Sequence, residues 1–367
     1  MAIRVAVLVP GIMGSRLFYG SGANSQEIWG ENFAANYRRI INQPTSLQWN
    51  GIPADSEPLR YVYASERAGL RRYPKFRLWE RLLKFLEGHE EFGNPRQVWE
   101  YSYDWRQSLL VTAQTLGRDL DEYTEALATE RGIPPNDISY VFLTHSMGGL
   151  VVRIAVALGV LAPSAIDRIV HIGSPLDGSV HAFRSAYRGG SLPLLQTFYR
   201  VFKGKKNAQA FHDSFLRSVK SFPSVYQLMP PKANDYLVYT PHDKRNPLSG
   251  SIIDATMRRH ATVAHRELVR ANLMLEQGSI RVFTVYSDYH SKRTDTEYQV
   301  QELGDPDPGY LIKDPMPCQS TEKGDGTVSM WSAMGTDPPC LRLRVTNVDH
   351  AVMCHDRGVV GQLMQVL

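Results

Sequence analysis

Cysteine is scarce in this chain. The three cysteines among 367 residues, Cys318, Cys340 and Cys354, all fall near the C-terminal end. A sparse, odd-numbered set is not a disulfide framework, so the core must hold the fold. Free thiols in a reducing compartment are the expectation, with a Cys318–Cys340 bridge as the alternative in an oxidising one. Long apolar runs are missing too. No segment approaches the roughly 18 apolar residues of a membrane span. The opening MAIRVAVLVPGIMG is interrupted by Arg4 and stopped by Pro10. It lacks the basic start, longer apolar centre and small-residue cleavage site of a secretory leader, so a soluble cytoplasmic chain is expected. Neither sign of charge dominates: the formal net charge is +4. With no RNP, zinc-finger or basic-helix pattern, nucleic acid is not an expected partner. The spacings G-x-x-x-x-G-K-[ST], C-x-x-C and H-E-x-x-H are absent. His350, Cys354 and His355 lie close in sequence but complete none of them, so neither cofactor nor metal is expected.

What is present suits a large core. Hydrophobic residues make up 43% of the chain, enough for one enlarged domain or two fused units. Ile3–Val9 is apolar apart from Arg4 and rich in β-branched residues, the pattern of a strand buried on both faces. Further strands are predicted over Val98–Tyr103, Ser139–Thr144, Asp167–Ile172, Ile280–Ser287 and Leu341–Thr346. Helices are predicted over Phe76–Gly88, Ser108–Arg131, Met147–Leu161, Asp254–Leu275 and Gly358–Leu367. Alternation of this kind predicts a mostly parallel central sheet with helices on both faces. The pattern breaks over 176–278, where no strand is predicted, and that segment is assigned to a largely helical cap. The expected division is a core of 1–15, 96–175 and 279–367, a cap- or lid-like insertion at 16–95, and the helical cap at 176–278.

In VFLTHSMGGLVVR (Val141–Arg153), a buried strand meets an apolar helix with one serine, Ser146, at the apex. A serine hydroxyl is a weak nucleophile and needs a base beside it, and a sharp strand–turn–helix elbow presents it clear of the sheet. The alternative is a glycine-rich helix start with Ser146 as its N-cap. The Met147 N–H opens the helix and is one candidate oxyanion donor. VPGIMGSRL (Val9–Leu17) follows the first strand, and its Gly11 and Gly14 let the Ile12 N–H serve as the second.

Among eleven histidines, His350 and His355 follow the last strand, where the order serine, acid, histidine places a base, and His350 is favoured. His145 adjoins the serine but points another way. His171 lies inside a strand and reads as a core residue, and His260 and His265 lie in the cap segment. Two acids remain open: Asp288, directly after a strand, and Asp325, between glycines in KGDGTVSMWSA.

The ordered set VPGIMGSRL, YDWR, HSMGGLVVR, GSPLDGS, GDGTVSMWSA and DHAVM resembles the lecithin:cholesterol acyltransferase-like α/β-hydrolases, a family that includes the lysosomal phospholipase/transacylase and bacterial lipase-like proteins. The resemblance implies an α/β-hydrolase fold and places the nucleophile on Ser146, the acid on Asp325, the base on His350 and the oxyanion amides on Ile12 and Met147. Thr144 stands where the family commonly carries a smaller residue. Tyr103 and Trp105 of YDWR either line an acyl pocket or belong to a strand end pinned by Asp104 and Arg106. The expected function is serine-dependent hydrolysis of a small-molecule or lipid ester, with transient contact at a lipid interface. The alternatives are acyl transfer by the same residues, thioester or amide hydrolysis, and a non-catalytic binding protein on the same scaffold. The sequence assigns no oligomeric state.

Overall fold

The computed structural model describes residues 3–20, 24–62, 76–179, 181–182, 185, 214–230, 237–239, 255–288, 298–300, 324–335 and 341–367. Its central sheet has six strands: β1 (Ile3–Val9), β2 (Val98–Glu100), β3 (Ile138–His145), β4 (Ile166–Ile172), β5 (Arg281–Ser287) and β6 (Leu341–Val345). Their spatial order is β6-β5-β4-β3-β1-β2, and every neighbouring pair is parallel. Both faces are covered, so the strands are apolar throughout rather than alternating in polarity. Val5, Val7 and Val9 of β1 enter one core and Ala6 and Leu8 the other; in β3, Tyr140 and Phe142 oppose Val141 and Leu143 in the same way.

The helices described include α1 (Phe33–Asn42), α2 (Glu80–Glu87), α3 (Leu109–Arg131), α4 (Gly148–Ala157), α5 (Pro223–Gln227), α6 (Ala255–Gln277), α7 (Met330–Met334) and α8 (Arg357–Leu363). Leu116 and Leu120 of α3, Ile154 of α4 and Leu268 of α6 cover the first face. Leu82 and Leu86 of α2, with Val359 and Leu363 of α8, cover the second. α6 lies within the segment expected as cap, yet it packs against α4 and α5. Its buried residues Ala264, Leu268, Ala271 and Leu275 form one stripe at helical spacing, and the two alanines suit close packing against a neighbouring helix.

Several elements are shorter than predicted. α2 begins at Glu80 rather than Phe76 because Phe76–Arg77 pairs with Tyr61–Val62 as an antiparallel strand. α4 ends at Ala157, with Gly159 at φ +71° just beyond its cap. Within 176–278, where no strand was predicted, Leu237–Tyr239 pairs in parallel with Tyr298–Val300. After β1 the chain forms a three-stranded antiparallel ribbon with Ser15–Tyr19 at its centre, flanked by Gln26–Trp29 and Asp55–Pro58. Cys354 is buried with a free thiol, while Cys318 and Cys340 lie outside the described residues. Among the described residues no helix is long and apolar enough to cross a membrane.

The ribbon is tied to the loop after β2 by a buried ion pair. Arg106 is 0% exposed and Asp104 2%. Arg106 Nη2 and Nε donate to the Asp104 carboxylate at 2.6 and 2.9 Å, and Nη2 also donates to Tyr19 Oη at 3.0 Å. The Ala54 N–H donates to Asp104 at 2.9 Å. Removing one partner of such a pair leaves the other charge buried alone. Arg106→Ala is therefore expected to lower stability by about 3–5 kcal/mol, read as a fall in the urea midpoint. Arg106→Lys should recover only part of it, because one ammonium cannot reproduce the guanidinium fork.

Candidate active site

In open parallel sheets a ligand crevice forms at the carboxyl ends of the strands, where the strand order reverses. Here that place is between β1 and β3, and Ser146 stands at the end of β3. Its φ is +53°, in the left-handed region that non-glycine residues rarely enter. Its N–H donates to the Ile172 carbonyl of β4 at 3.1 Å. Two glycines make room for the turn. A Cβ on Gly11 would fall 2.6 Å from Ser146 Cβ, and one on Gly148 would fall 2.3 Å from the Val9 carbonyl oxygen. Thr144, in the position commonly filled by a smaller residue, is buried and its Oγ1 pairs with His171 Nδ1 at 2.8 Å.

His350 opens a 3-10 turn (His350–His355) that follows β6. Its Nε2 lies 2.9 Å from Ser146 Oγ, and its Nδ1 lies 2.7 Å from Asp325 Oδ2. The other oxygen of Asp325 accepts the N–H groups of Thr327 and Val328 at 2.9 and 2.7 Å. Gly326, at φ +90°, allows the loop to fold back over its own carboxylate. The second candidate acid is elsewhere: buried Asp288 pairs with Arg344. The His355 carbonyl takes a bond from Arg81, and His265 bonds the Gln227 carbonyl at 3.2 Å.

The glycine loop after β1 is held by side chains from three directions. Tyr103 Oη donates to the Pro10 carbonyl at 2.7 Å, Trp105 Nε1 to the Ser15 carbonyl at 3.1 Å, and Trp29 Nε1 to the Met13 carbonyl at 3.3 Å. The Gly14 N–H closes the turn onto the Gly11 carbonyl at 3.0 Å. Among the described residues the N–H groups of Ile12 and Met147 have no backbone acceptor. Trp105 also walls a cavity beside Ser146, whereas buried Tyr103 serves as a clamp on the loop. Trp29 carried no motif that would have singled it out.

His145 has a role that its position in the sequence did not suggest. Its Nε2–H donates to the His350 carbonyl at 3.0 Å, while the His350 N–H donates to the Asp325 carbonyl at 3.0 Å. The loop carrying His350 is therefore held at both ends of one residue. Burial, and then repulsion from His350, pull the His145 pKa down to about 3. Burial, followed by the charge of Arg153, brings His171 down to about 3 as well. For His350, burial lowers the pKa, but the Asp325 charge and hydrogen bond and the Asp349 charge outweigh it, and the net shift is upward.

Two solution measurements follow. In the unfolded chain His145 and His171 take protons near 6.5, whereas the folded protein keeps them neutral down to about pH 3. The unfolded state binds more protons across that window, so stability falls as pH drops below 6.5. Each histidine contributes about 1.4 kcal/mol per pH unit, and urea midpoints at neutral and mildly acid pH read it. His350 acts with the opposite sign, over a window just above its unfolded value. In Asp325→Asn the burial effect on His350 loses its main opponent, so an NMR titration should find the imidazole pKa lower than in the unaltered protein.

A family model described as lecithin:cholesterol acyltransferase matches residues 70–303. No curated protein matches the sequence. Among solved structures, the Tle4–Tli4 complex contains a chain with 15% identity and a TM-score of 0.58, the match covering 98% of this chain and 97% of that one. That likeness concerns the fold alone. The mature lipase BlEst2 of Bacillus licheniformis is 13% identical with a TM-score of 0.42, over 100% of this chain and 92% of that one.

Proposed function

Since the chain belongs to the lecithin:cholesterol acyltransferase family, whose α/β-hydrolase fold it adopts, we propose that it is a serine-dependent carboxylic ester hydrolase. The observation that carries this reading is the unbroken line from Asp325 Oδ2 to His350 Nδ1 at 2.7 Å and from His350 Nε2 to Ser146 Oγ at 2.9 Å, ending on a serine at φ +53°. Family membership supports an ester-hydrolysing or acyl-transferring enzyme; the residue roles are our assignment.

His350 Nε2 takes the proton of Ser146 as Oγ attacks the ester carbonyl. Asp325 holds the imidazole with Nδ1 protonated and stabilises its charged form. The oxyanion accepts the N–H groups of Ile12 and Met147, each worth about 3–4 kcal/mol in the transition state. His350 then protonates the leaving alcohol, and water activated by the same imidazole releases the acid. The cavity beside Ser146 has apolar walls, including Phe215, Val219 and Phe222. That lining suits the acyl chain of a lipid or another apolar ester. Phe215, Val219 and Phe222 come from the part of 176–278 that precedes α6, which we assign as the cap that walls the substrate.

A fluorophosphonate probe should add to Ser146 and to no other residue, with the adduct mapped by mass spectrometry and lost in Ser146→Ala. Asp325→Asn is expected to lower kcat by on the order of 10³–10⁴ through the wrong imidazole tautomer. Asp288→Asn should leave kcat within about threefold, because its partner is Arg344. An adduct on another residue, or the reverse order of the two acid variants, would overturn the assignment.

A further inference from the structure

Thr144 and His171 face each other behind the elbow. Thr144 lies two residues before Ser146, and its Cα is paired with that of His171 across β3 and β4. Both side chains are buried. Thr144 Oγ1 lies 2.8 Å from His171 Nδ1 and 3.4 Å from the Val170 carbonyl. The residue after His171 is Ile172, whose carbonyl takes the Ser146 N–H at 3.1 Å. The helix side is as close: a Cβ on Gly149 would fall 2.9 Å from His171 Nδ1 and 2.4 Å from Ser174 Oγ. His171 therefore sits where β3, β4 and the first turn of α4 meet.

The protons of this contact have one well-matched arrangement. Burial, then the charge of Arg153, keeps the His171 ring neutral, so it carries a single N–H. With that N–H on Nδ1, the ring donates to Thr144 Oγ1 and the Thr144 O–H donates to the Val170 carbonyl, so each proton has an acceptor. The other tautomer would put the N–H on Nε2, which is buried and has no hydrogen-bond partner among the described residues. A donor left there would lose water without gaining an acceptor, close to a positive charge.

We propose that Thr144 and His171 are a positioning pair for the nucleophile: their hydrogen bond fixes the ends of β3 and β4, so that the turn at Ser146 keeps its hydroxyl against His350. The inference rests on Ser146 being the nucleophile, as proposed above. A strained residue keeps its conformation only while its surroundings hold it, and this bond lies two residues from the strain. The pair also accounts for a threonine where the family commonly carries a smaller residue. The hydroxyl is the partner that the buried Nδ1 needs, and a smaller apolar residue would give the turn room but leave that nitrogen unmatched.

The test measures kcat and KM for para-nitrophenyl butyrate, with the folded fraction of each variant taken from its urea curve. Thr144→Val and Thr144→Ala should each lower kcat by on the order of 10–100-fold with KM within about twofold, as expected for a displaced reacting group. Thr144→Ser keeps the hydroxyl and should stay within about threefold of the unaltered protein. His171→Leu should match Thr144→Val, and the double variant should be no worse than either single one, because the same bond is lost in each. The proposal fails if Thr144→Ala keeps full kcat, since the position then needs only room. It fails too if Thr144→Val lowers the urea midpoint while the folded protein keeps its kcat, or if the two losses multiply in the double variant. Ser146→Ala separates the mechanism from the pair. Turnover retained there overturns the serine assignment and the pair with it, whereas turnover lost there and kept in the Thr144 variants overturns the pair alone.

Discussion

The backbone of Ser146 lies at φ +53°, between a strand that is buried and a helix that starts two residues later. A left-handed non-glycine residue costs about 1–3 kcal/mol and persists only where its surroundings over-determine it. Here they do. The Ser146 N–H is tied to the Ile172 carbonyl, and the loop after β1 presses against the turn at Gly11. α4 comes so near that only a glycine fits at 148. Relaxing the serine into an ordinary turn would draw its hydroxyl away from His350. The strain is therefore held by contacts among β1, β3 and β4, the three neighbouring strands in the middle of the sheet.

The same economy governs the loop that contains Ile12. Three of its carbonyls are occupied by side chains of Tyr103, Trp105 and Trp29. Those bonds fix which way the peptide planes of the loop turn, and they leave the Ile12 N–H without a backbone acceptor among the described residues. Tyr103 and Trp105 are held in turn by their place in the loop that the Asp104–Arg106 pair anchors to the ribbon. A buried ion pair is weak evidence for net stability. What it supplies here is a fixed geometry between the ribbon and the loop after β2, alongside the bonds of Trp105 and Tyr103 to Ser15 and of Ser102 to Ser56.

Around Ser146 the charges are arranged so that one histidine gains a proton readily and its neighbours do not. His145 packs against His350 with ring centroids 4.9 Å apart. A charge on His145 would oppose the imidazolium that forms on His350, and burial prevents it. His171 is neutral for the same reason on the far side of the elbow. Asp325 is the acid in contact with His350, and it faces that imidazole with one oxygen while two amide groups hold the other.

Much of this was legible in the order of residues. β-branched runs marked β1 and β5 and helical spacing marked α3, α4 and α6, because both signals depend only on residues close in sequence. The serine between strand and glycines marked the elbow, and glycines on both sides of Asp325 marked a turn. Tertiary structure alone settled which loops come together. Asp288 and Asp325 both follow the serine and both read as candidates, yet one lies against Arg344 and the other against His350. The same holds for α6, whose stripe announced a helix but not the helix it packs on, and for Trp29 and His145, whose partners lie far away in the chain. Periodicity encodes what a segment is. Where its side chains meet is fixed by how the sheet orders its strands, and that order is a property of the whole chain.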